Sequence, residues 1–463
     1  MKKKQVAIII GILTGALLLA IPVINLFSPL PATSDFEAIE TGTAAMEAAK
    51  TVIAGKCLMC HAENPSLPFY AKWPIASGVI AKDIKAGTAM IDFADLFKKK
   101  GADEVPLAKA EQAIVLNTMP PSNFLALHWN GSLASKEKET LMTWTKEVRA
   151  KHFASGLADA AYANDAVQPL PSELPVLQGK VQLGNKLYHD VRLSGNDTIS
   201  CASCHDLAKG GTDNAQFSTG VRDQVGGINA PTTFNAAFAV LQFWDGRAKD
   251  LADQAGGPPL NPIEMDTSWE QVTGKLASDE PLTTEYKTVY GTDTWTAENI
   301  TDAIAEFEKT LITPDSHLDR YLKGDPNAFS QTAQEGYALF KAHSCATCHA
   351  GKAMGGLTFE KPIDPDAFFT FRKRTPTEPD WGRLNTTQDE ADRYKQKVPT
   401  LRNIALTFPY LHDGSTRDLK EVVRLMHDYF VPKANRKPLS ATDLDKIVEM
   451  LENNTGTLQG KQL

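Results

Sequence analysis

Six cysteines in this chain form three pairs, and a histidine follows each pair directly. In a C-x-x-C-H motif the two thiols can form thioethers to the vinyl groups of a haem, and the histidine can bind its iron. Zinc sites and thioredoxin-like pairs do not require that trailing histidine. We therefore predict three covalently bound haem c groups, with His61, His205 and His349 as iron ligands. The motifs are Cys57-Leu-Met-Cys60-His61, Cys201-Ala-Ser-Cys204-His205 and Cys345-Ala-Thr-Cys348-His349.

The residue at the sixth iron position decides what each haem does. A second strong ligand makes an electron-transfer haem, whereas an open position makes a reactive one. For the first motif we predict Met119, which lies in a Met-Pro-Pro segment. His128 is the rival ligand, and core packing is the alternative role for Met119.

The third motif is followed by a helical run that offers two further ligand candidates. Met426 and His427 lie on the pattern from Leu419 to Phe430. Met426 shares a helix face with Val422 and Val423, whereas His427 lies about 100° around the helix.

The second motif has no such partner, because no histidine occurs between His205 and His317. Cleaving a peroxide needs a base that moves a proton between the two oxygens and a polar neighbour that holds the second oxygen. Glu264 could be that base and Gln254 that neighbour. Taken from the residues alone, Glu264 could equally be a solvated surface acid.

The N-terminal residues predict a membrane anchor. Residues 6–27 carry no charge and would reach roughly 33 Å as a helix, enough to cross a bilayer core. Lys2, Lys3 and Lys4 precede them, so the rest of the chain is predicted in the periplasm, tethered to the inner membrane by one span. A cleaved signal peptide is the alternative.

Composition and patterning set the predicted organisation. The net charge of −8, without a basic stripe, excludes a nucleic-acid partner. A Gly-x-x-Leu pattern followed by an aromatic residue begins at Gly184 before the second motif and at Gly336 before the third, and an amphipathic helix closes each half. We predict a mainly α fold with a transmembrane helix followed by three c-type cytochrome domains. The predicted segments are 1–35 for anchor and linker, then 36–165, 166–325 and 326–463 for the domains of the three motifs.

From about residue 183 to 451 the chain resembles the bacterial dihaem cytochrome c peroxidases, which reduce hydrogen peroxide. Several motifs carry this resemblance together. Besides the second and third C-x-x-C-H motifs they are Asn229-Ala-Pro-Thr232, Gln242-Phe-Trp-Asp-Gly-Arg247, Glu264-Met265, Thr310-Leu-Ile-Thr-Pro-Asp315, Tyr321-Leu-Lys-Gly324, Thr400-Leu-Arg-Asn-Ile-Ala405 and Pro409-Tyr-Leu-His412.

The resemblance implies a role for each matching residue. The last two domains would form a dihaem peroxidase unit, with the peroxidatic haem at His205 and an electron-transfer haem between His349 and Met426. Glu264 would be the catalytic acid and base, Gln254 its companion and Trp244 the aromatic residue between the haems. Asn229, with the carbonyls of Thr407 and Pro409, would bind one calcium ion. His412 would contact the electron-transfer haem.

One departure from the family pattern has a functional consequence. Many members carry a histidine just before the Asn-Ala-Pro-Thr segment, and it caps the resting peroxidatic haem. Residues 220–228 contain none. We therefore predict a peroxidatic haem that is open even in the fully oxidised protein.

The complete chain is similar to the trihaem, membrane-anchored quinol peroxidases. This implies that a membrane quinol delivers electrons to the Cys57 haem. A soluble cytochrome c or cupredoxin is the alternative donor. The alternative functions are a protein-modifying oxidase and a non-catalytic electron-transfer or sensor protein.

Overall fold

A computed structural model describes residues 20–27, 33–433 and 436–463. Within these ranges the chain is mainly helical, as predicted. It divides into two compact units, and the division along the chain falls between Phe153 and Ala154. This division precedes the predicted domain boundary at residue 165, and residues 154–165 belong to the second unit. Asp159 donates its backbone N–H to Leu322, and the Asp165 carboxylate accepts from Tyr337 at 2.8 Å.

The first unit is a helical domain around the first haem motif. Phe36, Ile53, Phe97 and Trp144 are among its fully buried core residues. Residues 20–27 are also helical. Its remaining helices are α1 (Ser34–Glu37), α2 (Ala44–Lys56), α3 (Pro74–Met90), α4 (Phe93–Lys98), α5 (Glu104–Leu116), α6 (Ser122–Leu125) and α7 (Ser135–His152), with a 3-10 turn at Phe69–Lys72.

The structure corrects the predicted anchor. In the described ranges 20–27, 33–433 and 436–463, no helix is both long and apolar enough to cross a membrane. The described end of the predicted span packs on the first unit instead: Ile21 is buried against Tyr70 and Ile80, and the Asn25 amide donates to Leu127 O at 2.7 Å. Residues 6–19 of that span lie outside the described residues. The described residues therefore contradict the predicted single-pass placement in the inner membrane.

The second unit contains the second and third haem motifs. Its helices are α8 (Gln178–Tyr188), α9 (Cys201–Cys204), α10 (Leu251–Ala255), α11 (Gly257–Leu260), α12 (Trp269–Ala277), α13 (Glu280–Tyr290), α14 (Ala297–Glu308), α15 (His317–Leu322), α16 (Gln331–Ala342), α17 (Cys345–Cys348), α18 (Pro365–Phe371), α19 (Leu384–Thr387), α20 (Leu419–Phe430) and α21 (Ala441–Glu452). The strands are short antiparallel pairs, β1 (Phe359–Glu360) with β2 (Gln396–Lys397) and β3 (Thr457–Leu458) with β4 (Lys461–Gln462).

The internal repeat seen in the sequence is a repeated helix crossing. In each half the helix before the haem motif packs against the closing helix, α8 on α14 and α16 on α21. A Cβ at Gly184 would lie 1.9 Å from Ala303 O, and one at Gly336 would lie 2.0 Å from Lys446 O. Both glycines therefore permit backbone-to-backbone contact, and two hydrophobic cores form around the two crossings.

A buried ion pair ties together segments that are distant in sequence within the second unit. Arg402 and Asp319 are fully buried and lie 2.8 Å apart. The Arg402 guanidinium also donates to Asn454 Oδ1 and to the carbonyls of Gln168 and Lys352, so its donors meet acceptors from three further segments. A buried charge requires several hydrogen-bond acceptors of this kind, because they offset the loss of its hydration.

Candidate active site

The three haem motifs adopt short helical geometry that brings each cysteine pair together. Cys201–Cys204 and Cys345–Cys348 each form one helical turn, and Cys57 is the first residue after α2. All six thiols are partly buried and none forms a disulfide. Burial raises the pKa of Cys57, Cys201 and Cys345 to about 12 each, so these sulfurs are protonated in apolar surroundings. An uncharged thioether to a haem suits such a position.

The motif histidines share a second feature that fits iron ligation. In each the Nδ1 atom lies near a backbone carbonyl: Ile91 O at 3.0 Å from His61, Gly211 O at 3.4 Å from His205 and Met354 O at 3.2 Å from His349. Burial lowers the pKa of all three, to about 4 for His349. A neutral ring that donates from Nδ1 presents Nε2 to a metal. The residues at all three motifs therefore fit a c-type haem.

The two sixth-ligand candidates of the first motif differ in their hydrogen bonding and exposure. Both ring nitrogens of His128 have partners, Phe124 O for Nδ1 at 3.1 Å and Tyr70 Oη for Nε2 at 3.0 Å. Burial lowers the pKa of this histidine, and its ring stacks on Phe124. Met119 is 42% exposed and stays the predicted ligand.

The two ligand candidates near the third motif, Met426 and His427, also differ in their burial and hydrogen bonding. His427 is buried, and its Nε2 lies 3.1 Å from Lys437 O while its Nδ1 lies 3.0 Å from Asp428. Its ring packs against His343. Met426 is only partly buried on the same helix, α20. This favours Met426, the predicted ligand of the electron-transfer haem.

Glu264 lies in a tight turn rather than on an open surface. The Asn261 carbonyl accepts hydrogen bonds from the backbone N–H groups of Glu264, Met265 and Asp266. The Asn261 side-chain amide donates to Glu264 Oε1 at 2.6 Å. Burial raises the pKa of the Glu264 carboxyl, while the Arg247 charge and the Asn261 hydrogen bond oppose that shift. Burial raises the pKa of the Cys204 thiol, and the charge of the nearby Glu264 carboxylate adds to that increase.

Two residues of this site were missing from the sequence prediction. Asn261 orients the carboxylate through its hydrogen bond, and the Arg247 charge lowers the pKa of the carboxyl. The Arg247 guanidinium itself lies 3.5 Å from the Phe243 ring centre. The signal for Asn261 was its position three residues before Glu264, which is typical of a turn stabilised by its first residue. Gln254, the predicted companion, is partly buried on α10.

Trp244 and His412 lie together in the second unit. Their rings make an edge contact with centres 6.3 Å apart, and Trp244 Nε1 donates to Asn229 O at 2.9 Å. His412 Nε2 lies 2.8 Å from a carboxylate oxygen of the buried Asp380. Burial opposes ionisation of Asp380, but hydrogen bonds from His412 and the Thr377 backbone lower its pKa to about 2. Asp380 is thus an anchor for His412 that sequence reasoning missed.

The predicted calcium ligands lie on neighbouring, mutually bonded segments. The backbone N–H of Asn229 donates to His412 O at 2.8 Å, and its side-chain amide nitrogen donates to Ala215 O at 2.9 Å. This arrangement leaves the side-chain oxygen of Asn229 to a cation. The Asn214 amide ties this region to the segment that contains Thr407 and Pro409, by donating to Leu406 O and Phe408 O.

Comparisons with known proteins identify the family of this chain. The family model for the di-haem cytochrome c peroxidases matches residues 178–327, and a haem-binding domain matches residues 16–147. The chain is 45% identical to cytochrome c peroxidase Ccp of Escherichia coli K12 over 88% of both chains. It is 43% identical to the cytochrome c551 peroxidase of Nitrosomonas europaea, over 66% of this chain and 87% of that one.

A solved structure gives the same result for the fold. A MauG-like protein associated with microbial copper homeostasis superposes with a TM-score of 0.54 at 26% identity, covering 62% of this chain and 92% of the other. The resemblance inferred from the sequence motifs is confirmed at the level of the family. The chain belongs to the di-haem cytochrome c peroxidase family, as an oxidoreductase that binds haem c covalently and has an additional N-terminal haem-binding domain.

Proposed function

We propose that this protein reduces hydrogen peroxide to two waters at the second haem motif, using two electrons and two protons. The observation that carries the proposal is the environment of Glu264. Its carboxyl has a raised pKa, is oriented by Asn261 at 2.6 Å and lies close to Cys204. The names of the E. coli and Nitrosomonas relatives support the same chemistry.

The side chains at this site have separate tasks. Glu264 accepts a proton from one peroxide oxygen and returns it to the other, which becomes water. Asn261 holds the carboxylate in place through its hydrogen bond to Oε1. Gln254 holds the distal oxygen by a hydrogen bond. Arg247 keeps enough of the carboxyl ionised to act as a base, because its positive charge opposes the effect of burial.

We propose three haems. Cys57, Cys60 and His61 would hold the first, Cys201, Cys204 and His205 the second, and Cys345, Cys348 and His349 the third. Met119 and Met426 would be further ligands of the first and third haems, which would supply electron transfer, and the second haem would supply the iron at which peroxide reacts. The matching N-terminal haem-binding domain supports a haem at the first motif, which would accept the external electrons.

We also propose one calcium ion bound by the side-chain oxygen of Asn229 and the carbonyls of Thr407 and Pro409. Oxygen ligands of this kind suit calcium. The support is that the Asn229 amide nitrogen is already engaged with Ala215 O and Gln216 O. An ion here would also fix Trp244, which donates to Asn229 O.

The donor is tested together with the activity. The predicted donor is a quinol, as the resemblance to the trihaem quinol peroxidases implies. The haem-loaded full-length protein is mixed anaerobically with peroxide and either a soluble quinol analogue or a reduced small cytochrome c. Oxidation of one quinol, or two cytochromes, per peroxide identifies the donor and confirms the activity. No oxidation of either donor, or of a reduced cupredoxin, would contradict the proposal.

A further inference from the structure

Helix α14 carries a buried acid that has no role in the proposed reaction. Glu308 is 5% exposed, and its Oε2 atom has no hydrogen-bond partner among the described residues. Burial raises the pKa of this carboxyl to about 8. An apolar side chain at this position would avoid the cost of burying an unpaired polar group. An unpaired group of this kind in a native core calls for a functional explanation.

A second acid on the same helix shows that burial alone does not set Glu308 apart. Glu306 is 7% exposed, and its carboxylate accepts from Leu177 N at 2.8 Å and pairs with Lys309. Burial favours the neutral form of Glu306, but these two partners lower its pKa below the usual value. The two acids therefore differ in their partners, and Glu308 is the one whose carboxyl is left unpaired.

Glu308 lies beside the second haem motif. Burial raises the pKa of the Cys201 thiol, and the charge of Glu308 adds to that increase. The same charge also acts on Tyr188, whose hydroxyl donates to His205 O at 2.7 Å and whose ring makes an edge contact with Phe307. The unpaired carboxyl is therefore close to the sulfur through which the second haem would be attached.

The titratable groups around Glu308 do not compensate its charge. Tyr188 on α8 and Cys201 on α9 are themselves weak acids. On α10 the titratable side chain is Asp253, which is exposed. Lys309 follows in the chain, but it forms an ion pair with the neighbouring acid of the helix. Within the described residues, burial is the one cause that shifts the pKa of Glu308.

A haem at the second motif would supply the opposite charge that Glu308 lacks. Oxidised iron carries one more positive charge than reduced iron, and a nearby opposite charge favours the ionised form of a carboxyl. Charges interact strongly where water is excluded. The pKa of Glu308 should therefore fall when this haem is oxidised and rise again when it is reduced.

We infer that Glu308 is a buried counter-charge to the second haem, which gives up its proton when that haem is oxidised and takes one up when it is reduced. The inference rests on the second haem of the proposed function. In each oxidation one electron passes to the third haem or to peroxide and one proton passes from Glu308 to solvent, and reduction reverses both. By linkage, the ionised carboxylate lowers the reduction potential of this haem.

The test compares Glu308→Gln with Glu298→Gln. Both variants remove one acid from α14, but Glu298 is exposed. Redox titration of the haem-loaded full-length proteins, followed by absorption, gives the haem potentials at one pH well below and one pH above the Glu308 pKa of about 8. A Cys201→Ala protein, in which one attachment point is missing, assigns the signal of the second haem.

We expect the second-haem potentials of the parent and Glu308→Gln to coincide at the lower pH, where Glu308 is protonated. At the higher pH the potential of Glu308→Gln should be the higher one, because the parent has a carboxylate that stabilises oxidised iron. The ratio of reduced to oxidised haem at a fixed potential should rise at least tenfold, which is about 59 mV for one electron. Glu298→Gln should match the parent. Equal potentials in parent and Glu308→Gln at both pH values would overturn the inference.

A measurement that leaves Glu308 in place guards against misfolding of its variant. Infrared difference spectra between the reduced and oxidised protein report protonated carboxyl groups. They are recorded in Glu264→Gln, which lacks the other acid with a raised pKa beside this motif. Reduction of the second haem should add the signal of one protonated carboxyl, and a spectrum without that signal would overturn the inference.

Peroxide turnover of the same samples separates this inference from the proposed reaction. A parent protein without turnover, whatever the donor, would contradict the proposed peroxide reduction, and the potentials would still decide the role of Glu308. Potentials that coincide in an active protein would overturn the inference and leave the proposed reaction intact.

Discussion

At the scale of single residues, the account depends on a carboxylate whose environment tunes it for proton transfer. The sequence could identify Glu264 as a candidate but could not separate a buried base from a surface acid. What decides this is the Asn261 hydrogen bond, the Arg247 charge and burial, and these arise only when the turn folds against its neighbours.

Replacing Glu264 with Gln should abolish most of the activity and leave the haems intact. The amide keeps the shape of the side chain and cannot shuttle a proton, so turnover should fall about 100-fold or more. Steady-state peroxide reduction and absorption spectra of the haem-loaded variant provide the measurement. Parental turnover in Glu264→Gln would remove this residue from the mechanism.

The pH dependence tests the electrostatics of the same group. Glu264 works as a base when ionised, so turnover should fall as pH drops through its raised pKa. Arg247→Gln removes a charge that lowers this pKa, and the loss should then occur at higher pH. Arg247→Lys keeps the charge and should stay close to the parent. Identical pH profiles for Gln and Lys variants would show that Arg247 does not act on Glu264.

At the scale of helices and turns, the sequence identified the repeat but not its physical cause. The Gly-x-x-Leu pattern that begins at Gly184 and again at Gly336 is visible in the sequence, whereas the carbonyls that these glycines contact belong to helices more than 100 residues away. The spacing of apolar residues predicts which face of a helix is buried, but it cannot show which backbone segment packs against that face.

Gly184→Ala and Gly336→Ala should each destabilise the second unit. The added methyl group meets a carbonyl on the closing helix and must push the helices apart, at a cost of about 1 to 3 kcal/mol. Thermal unfolding of the haem-loaded protein measures this, with Gly274→Ala as the control. Unfolding curves that overlay the parent would contradict the close crossing.

Helix α20 carries a second prediction at this scale. Met426→His should lower the reduction potential of the third haem, because an imidazole replaces a thioether. The thioether-to-iron absorption of that haem should disappear as well. His427→Asn should retain both, since His427 is engaged with Lys437 O and Asp428. The reverse pattern would make His427 the ligand.

At the scale of the whole molecule, the mainly helical class, the haem-binding motifs and the family could be predicted from the sequence. The membrane anchor could not, because hydropathy over residues 6–27 does not reveal that Ile21 and Asn25 pack on the first unit. The division between the two units after Phe153 also depends on tertiary contacts. Asp159 and Asp165 fall in the predicted segment 36–165, and only tertiary hydrogen bonds show that they belong to the second unit.

The most direct test of the central claim mixes fully reduced, haem-loaded protein with one equivalent of hydrogen peroxide in a rapid-mixing spectrophotometer. The account predicts that two of the three haem electrons leave at once, that water is the product, and that Glu264→Gln slows this phase about 100-fold. If peroxide leaves the haems reduced, or oxidises the parent and Glu264→Gln at equal rates, the account is contradicted.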